Sequence, residues 1–163
     1  MVRPTTPCFA VLDDDTILSA EGAAPLAEAA ASATVATGLP CYEDGGDIAS
    51  GLLAQFVNNN AIFTYLGTAA CHPPFTLNGM GYVARTGELR RLGGFEPILG
   101  ELTDDLALAT HVLRHGGAIR QERAMLRVRT GVSGFGHYVR LMQRWHVFTL
   151  ILLKRRRAGL RFL

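Results

Sequence analysis

Cysteine is scarce in this chain, and the three present do not form a pattern. Cys8, Cys41 and Cys71 are odd in number and lack the spacing of metal ligands, so a disulfide framework and a zinc module are both excluded. Free thiols in a reducing compartment are expected, and Cys71–His72 alone makes no zinc site. Long apolar runs are also missing: none reaches the ~18 residues of a membrane-crossing helix. The best, VFTLILL at 147–153, runs into KRRR and reads as an interfacial or buried helix end. The opening MVRPTTP has no apolar stretch, so no signal peptide is expected before the first strand. Charge is sparse at 18%, yet 48% of the residues are hydrophobic, which excludes disorder over most of the chain. Acid nearly vanishes toward the end. From Arg120 onward eleven of the sixteen basic residues face one acid, Glu122. Such an end suits anionic lipid or phosphate, or is simply a solvated tail.

What is present is an α/β alternation within 163 residues, enough for one domain, with no internal repeat and no long linker. CFAVL (8–12) reads as a buried strand. Residues 23–33 read as a helix with Pro25 in its first turn. Residues 34–40 form a strand ending in a turn, and a helix runs from Ile48 to about Ala70. Within it Asn58–Asn60 imply polar contacts or a kink, and HPP ends it. FTLNGMGYVAR (75–85) reads as a strand with a glycine irregularity, followed by a short helix and a Gly-Gly loop. Thr103 is placed to cap a helix that stops at Gly116. Residues 118–130 alternate as a strand, and Tyr138, Leu141, Met142, Trp145, Phe148 and Leu152 form one helical stripe.

Chemistry concentrates at a few places. In VLDDDTI (11–17), three acids follow a strand at its carboxyl end, where α/β sheets bind ligands. On an extended backbone Asp13 and Asp15 point to one side and Asp14 to the other. Paired carboxylates suit Mg²⁺ or Mn²⁺ carrying phosphate oxygens, while a hydrated acidic turn is the plain alternative. Asp104 and Asp105 form a second acidic pair. Either they serve the helix dipole or one of them is a general base. Arg144–Trp145 is a core Trp beside a solvated Arg, or an aromatic platform beside a diphosphate-binding guanidinium. Asn78–Gly79 is a β-bulge or a close backbone approach to a ligand.

The order of VLDDDT, then LNGMGYVARTGELRRLGGFEPILGELTDDLALATHVLRHG, then RLMQRW resembles the processive and lipid-linked inverting glycosyltransferases, the ceramide glucosyltransferase and cellulose synthase-like type. The resemblance covers Thr6 to about Trp145 and is most specific from Asn78 to Gly116. It implies an incomplete GT-A-type (Rossmann-like) α/β domain, a mixed sheet with flanking helices. Residues 1–146 would be the C-terminal portion of the catalytic domain, and 147–163 a basic, membrane-proximal tail.

The resemblance also implies roles. Asp13 and Asp15 would hold Mg²⁺ or Mn²⁺ and the donor diphosphate, with Arg144 on the diphosphate. Asp105 would be the base, and Trp145, Asn78, Gly79 and Asp104 would lie on the acceptor side. The implied partners are a nucleotide-sugar, a lipid or glycan acceptor and a membrane surface met on the cytoplasmic face, with no nucleic acid. Two departures stand out: Asp104 replaces a usual Glu, and Arg140 falls one place early, with Leu141 at the motif position. On a helix that is a rotation of ~100°. An earlier nucleotide-binding portion and later membrane helices are expected beyond the two ends. Two other readings remain open. One is a non-catalytic remnant or one part of a split enzyme. The other is a haloacid-dehalogenase-type phosphatase using Asp13, which needs a downstream lysine where only Lys154 exists.

Overall fold

The computed structural model describes residues 6–101, 103–129 and 131–159 of the chain, without side chains at 151–153 and beyond Lys154. The elements are β1 (Cys8–Leu12), β2 (Thr16–Leu18), α1 (Ala20–Ala31), β3 (Val35–Glu43), α2 (Ile48–Ala61), a π-helical segment (Ile62–Gly67), α3 (Thr68–Cys71), β4 (Gly81–Arg85), α4 (Thr86–Arg91), a 3₁₀ turn (Glu96–Ile98), α5 (Asp104–Arg114), β5 (Ile119–Arg129) and α6 (Phe135–Gly159). The five strands form one mixed sheet in the order β1-β4-β3-β5-β2, with β3–β5 parallel and the other pairs antiparallel.

Alternation along the strands builds the layers. Val35, Tyr82, Ala84 and Ile119 meet Leu108, Ala109 and Val112 of α5 on one face. Their neighbours Ala36, Val83 and Ala124 meet Leu26, Ala29 and Ala30 of α1 on the other. A third cluster, Ala49, Leu53 and Val132 with Tyr42, Tyr138, Leu141, Met142 and Trp145, joins α2 to α6.

The strand order demands a curled sheet. Leu12 and Thr16 are four steps apart, a reach of at most about 14 Å. A flat sheet would separate β1 and β2 by four strand spacings, about 19 Å. The bend lies where two steps along β3, Thr37 to Leu39, pass four steps along β5, Gln121 to Met125. Gly38 is needed there, because a Cβ would sit 2.5 Å from the Ala124 carbonyl oxygen. Beyond the bend, Leu126 and Leu12 both close over Gly81, so the far edge of the sheet returns above β4.

Several expectations change. β1 is a half-exposed edge strand rather than a buried one, because only β4 pairs with it. α1 starts at Ala20, with Ser19 accepting the Gly22 amide at 3.2 Å, so Pro25 falls in the second turn. β3 continues through Pro40 to Glu43; Pro40 lies past Thr37, where pairing to β4 has ended. Of 75–85 only Gly81–Arg85 is strand. β2 was not expected, since three residues are too few to show a pattern.

The Asn58 side chain does make the polar contacts foreseen, to the Tyr42 amide at 2.8 Å and its carbonyl at 3.0 Å. The helix changes character four residues later, at Ile62. α6 runs unbroken past residue 146. Leu152, on its expected apolar stripe, lies outside the described side chains, as does the basic tail beyond Lys154. Among the described residues no helix is long and apolar enough to cross a membrane.

Candidate active site

The three adjacent acids are not extended. Asp13 donates its amide to the Met80 carbonyl at 3.0 Å and accepts the Thr16 amide at 3.1 Å, so Asp14 and Asp15 cap a tight turn between β1 and β2. The same-side argument for Asp13 and Asp15 therefore fails, because it needs strand geometry. Proximity comes from the turn instead. The Asp13 carboxyl is raised above its ordinary value by burial first, then by the charges of Asp15, Asp104 and Asp14.

Asp104 and Asp105 arrive from the start of α5. Thr103 occupies the cap position, but its side chain makes no capping bond. The acids supply the acceptors themselves: Asp104 Oδ1 takes the Asp105 amide at 3.0 Å, and Asp105 Oδ1 takes the Leu106 amide at 2.6 Å. Asp105 is half-buried. Burial pushes its carboxyl up, the Leu106 amide pulls it down, and the charges of Asp104 and Asp13 push it up again. Asp13 and Asp105, some ninety positions apart, thus share one electrostatic site.

Asn78–Gly79 forms the seam between them. The buried Asn78 amide donates to Thr37 Oγ1 at 3.1 Å, and Asn78 Oδ1 accepts the Met80 amide at 3.1 Å. Gly79 lies flat against Asp105: a Cβ there would be 3.1 Å from the Asp105 Cβ and 3.3 Å from Oδ2. Gly79→Ala should displace the carboxylate by a few tenths of an ångström and lower kcat about tenfold. An unchanged melting temperature, read by calorimetry, would separate this from unfolding.

Two tyrosines that the sequence did not single out complete the site. Tyr82 on β4 is pushed up to about 12 by burial, then by Asp104, Asp13 and Asp105. Tyr65, on the π-helical segment, is raised by burial and then by Asp105. Alternation would have put Tyr82 on a sheet face, but nothing local marked Tyr65.

Arg144 and Trp145 are not brought to the acids by any contact among the described residues. Arg144 is exposed, and Trp145 is half-buried and stacked on Phe56, with ring centroids 6.0 Å apart and planes at 20°.

Residues 8–163 match the family model described as "Glycosyl transferase family group 2". The chain belongs to that family. Compared with curated proteins, it matches none. Membership makes this a glycosyltransferase domain, transferring sugar from a nucleotide-sugar donor to an acceptor, and the mixed α/β sheet with flanking helices is the GT-A-like arrangement of this family. It also removes the phosphatase alternative.

Family group 2 enzymes typically use a divalent cation. Among the described residues no three His, Cys, Asp or Glu side chains stand close enough to enclose one. The donor set still fits. It is all carboxylate oxygen, its members repel one another, and Mg²⁺ needs only one or two carboxylates when substrate phosphates fill the remaining positions.

Proposed function

We propose that this glycosyltransferase is of the ceramide glucosyltransferase and cellulose synthase-like type, moving a sugar from a UDP-sugar to a lipid or glycan hydroxyl with inversion. The observation that carries this reading is that Asp13, tied by its amide to Met80, and Asp105, packed on the adjoining Gly79, share one electrostatic site, with Asp105 half-buried and its carboxyl raised above its ordinary value by that burial. Asp105 Oδ1 is engaged by the Leu106 amide, so Oδ2, beside Gly79, receives the acceptor proton. The freed acceptor oxygen bonds to the anomeric carbon as the bond to the diphosphate breaks, and a single displacement inverts that carbon.

Asp13 and Asp15 would hold Mg²⁺ or Mn²⁺. The cation would supply charge neutralisation for the departing diphosphate. Asn78, Gly79 and Asp104 shape the acceptor side. Arg144 and Trp145 are proposed as the diphosphate and acceptor contacts of α6. Residues 1–146 act as the catalytic portion. Residues 147–163 meet the cytoplasmic face of a membrane, a reading supported by exposed Val147 and Leu150 ahead of the KRRR run.

Calorimetric titration of the chain with UDP and UDP-sugars in the presence of Mn²⁺ tests the donor reading. Dissociation constants of about 1 μM–1 mM are expected. Absence of binding would leave the non-catalytic alternative.

A further inference from the structure

In a single displacement the transferred sugar lies between the groups that hold the leaving diphosphate and the group that takes the acceptor proton. On the reading above, these are Asp13, at the end of β1, and Asp105, at the start of α5. Tyr82 is the large side chain that the chain places next to both anchors. It is the second residue of β4, opposite Val11 of β1 on one side and Thr37 of β3 on the other. Met80, two residues earlier, receives the Asp13 amide, and Gly79, three residues earlier, packs on Asp105. The ring is only 8% exposed and sits with Leu77 and Leu108 in the core under α5.

The phenol is sensitive to Asp104, Asp13 and Asp105 together, whereas Tyr65 is sensitive to Asp105 alone. With Met80 holding Asp13 and Gly79 packed on Asp105 just ahead of it on the chain, Tyr82 is near both halves of the site, and Tyr65 is near the base. Its hydroxyl has no hydrogen-bond partner among the described residues. It is also not among the fully buried polar atoms that lack one, so the oxygen keeps some access to solvent. A tyrosine buried to this extent ordinarily finds a partner for its O–H. At neutral pH the phenol stays protonated and is a donor.

We propose that Tyr82 is a binding residue for the transferred sugar, donating its phenolic hydrogen to a hydroxyl or ring oxygen of that sugar and helping to choose which sugar is accepted. The proposal rests on the assignment of Asp13 to the donor diphosphate and Asp105 to the base. A site that hydrogen-bonds a substrate oxygen discriminates against analogues lacking it in that position. The contact is to the sugar and not to the nucleotide, which separates it from a role in holding the fold or the uridine.

Tyr82→Phe removes one oxygen and keeps the ring in its core position. Affinities for UDP, UDP-glucose, UDP-galactose and UDP-N-acetylglucosamine, measured with Mn²⁺ by calorimetry on the full chain and this variant, read out the contact. The expected result is a three- to tenfold loss (about that of one hydrogen bond) for the preferred UDP-sugar, UDP unchanged, and a narrower spread among the sugars. An unchanged ratio of UDP-sugar to UDP affinity overturns the proposal and leaves the donor reading standing. An equal loss for UDP and UDP-sugar also overturns it. A parent chain that binds neither UDP nor UDP-sugar sinks the donor reading and this proposal together. Should the variant fail to fold, the unaltered chain carrying ring-¹³C tyrosine gives a second measurement. The Tyr82 resonance should then move with UDP-sugar and not with UDP; the reverse, or no movement, overturns the proposal.

Discussion

Asp105→Asn should lower kcat by about 10²–10⁴-fold, the usual worth of a general base, while donor affinity stays near that of the parent. The substitution keeps the shape and the acceptor for the Leu106 amide but cannot take a proton. Stability should move the other way. A carboxyl whose folded pKa is raised stabilises the fold while protonated, and that contribution is lost as pH rises through the folded value. At neutral pH the ionised Asp105 therefore opposes folding, through burial first and then through Asp104 and Asp13. The neutral amide removes that opposition. A gain of about 1 kcal/mol would appear as roughly 2–4 °C in melting temperature for a chain of this size. The gain should shrink as pH falls through the raised folded value and vanish below about pH 4, where the carboxyl is protonated in both folded and unfolded chains. Loss of donor binding instead of turnover would move Asp105 from the base position into the nucleotide site.

Asp15→Asn is expected to weaken UDP binding in Mn²⁺ by about 10- to 100-fold and to leave binding in EDTA unchanged. The turn explains the size of the effect. Asp13 is tied by its amide to Met80 and by its carbonyl to Thr16, so the acidic residues sit in fixed relation to β4 and cannot drift to replace a lost ligand. The charge of Asp15 is also among those that raise Asp13, so its removal leaves the site less repulsive to itself and less attractive to a cation. Thermal melting offers a second readout: Mn²⁺ with UDP should raise the parent's melting temperature and hardly affect the variant's. Metal-dependent binding that survives in Asp15→Asn would remove this residue from the cation site.

Much of the local structure was legible because local forces decide it. Alternation at Ala124, Leu126 and Val128 marked β5, all three buried as expected. The stripe of Tyr138, Leu141, Met142 and Trp145 marked the buried side of α6. The glycines after Arg114 marked the end of α5, with Gly116 at φ +74°. Where the sequence misled, a distant partner had intervened. Residues 75–80 have strand-like composition but join no strand, because β1 ends at Leu12 opposite Gly81. Asp13–Asp15 are pulled into a turn because β2 must reach β5 on the far edge.

The sequence by itself determined the inventory: the acidic pairs, their order along the chain, the apolar faces and the family-like arrangement of motifs. All of these depend on identity and spacing, which a linear chain carries without folding. The tertiary structure alone decided that Asp13 and Asp105 share one field, that Gly79 lies against the Asp105 carboxylate, and that the Tyr82 phenol feels both charges. Those relations depend on a curled sheet joining segments some ninety residues apart. No local propensity or periodicity records such closure, because its free energy comes from burying α1 and α5 on opposite faces of the sheet.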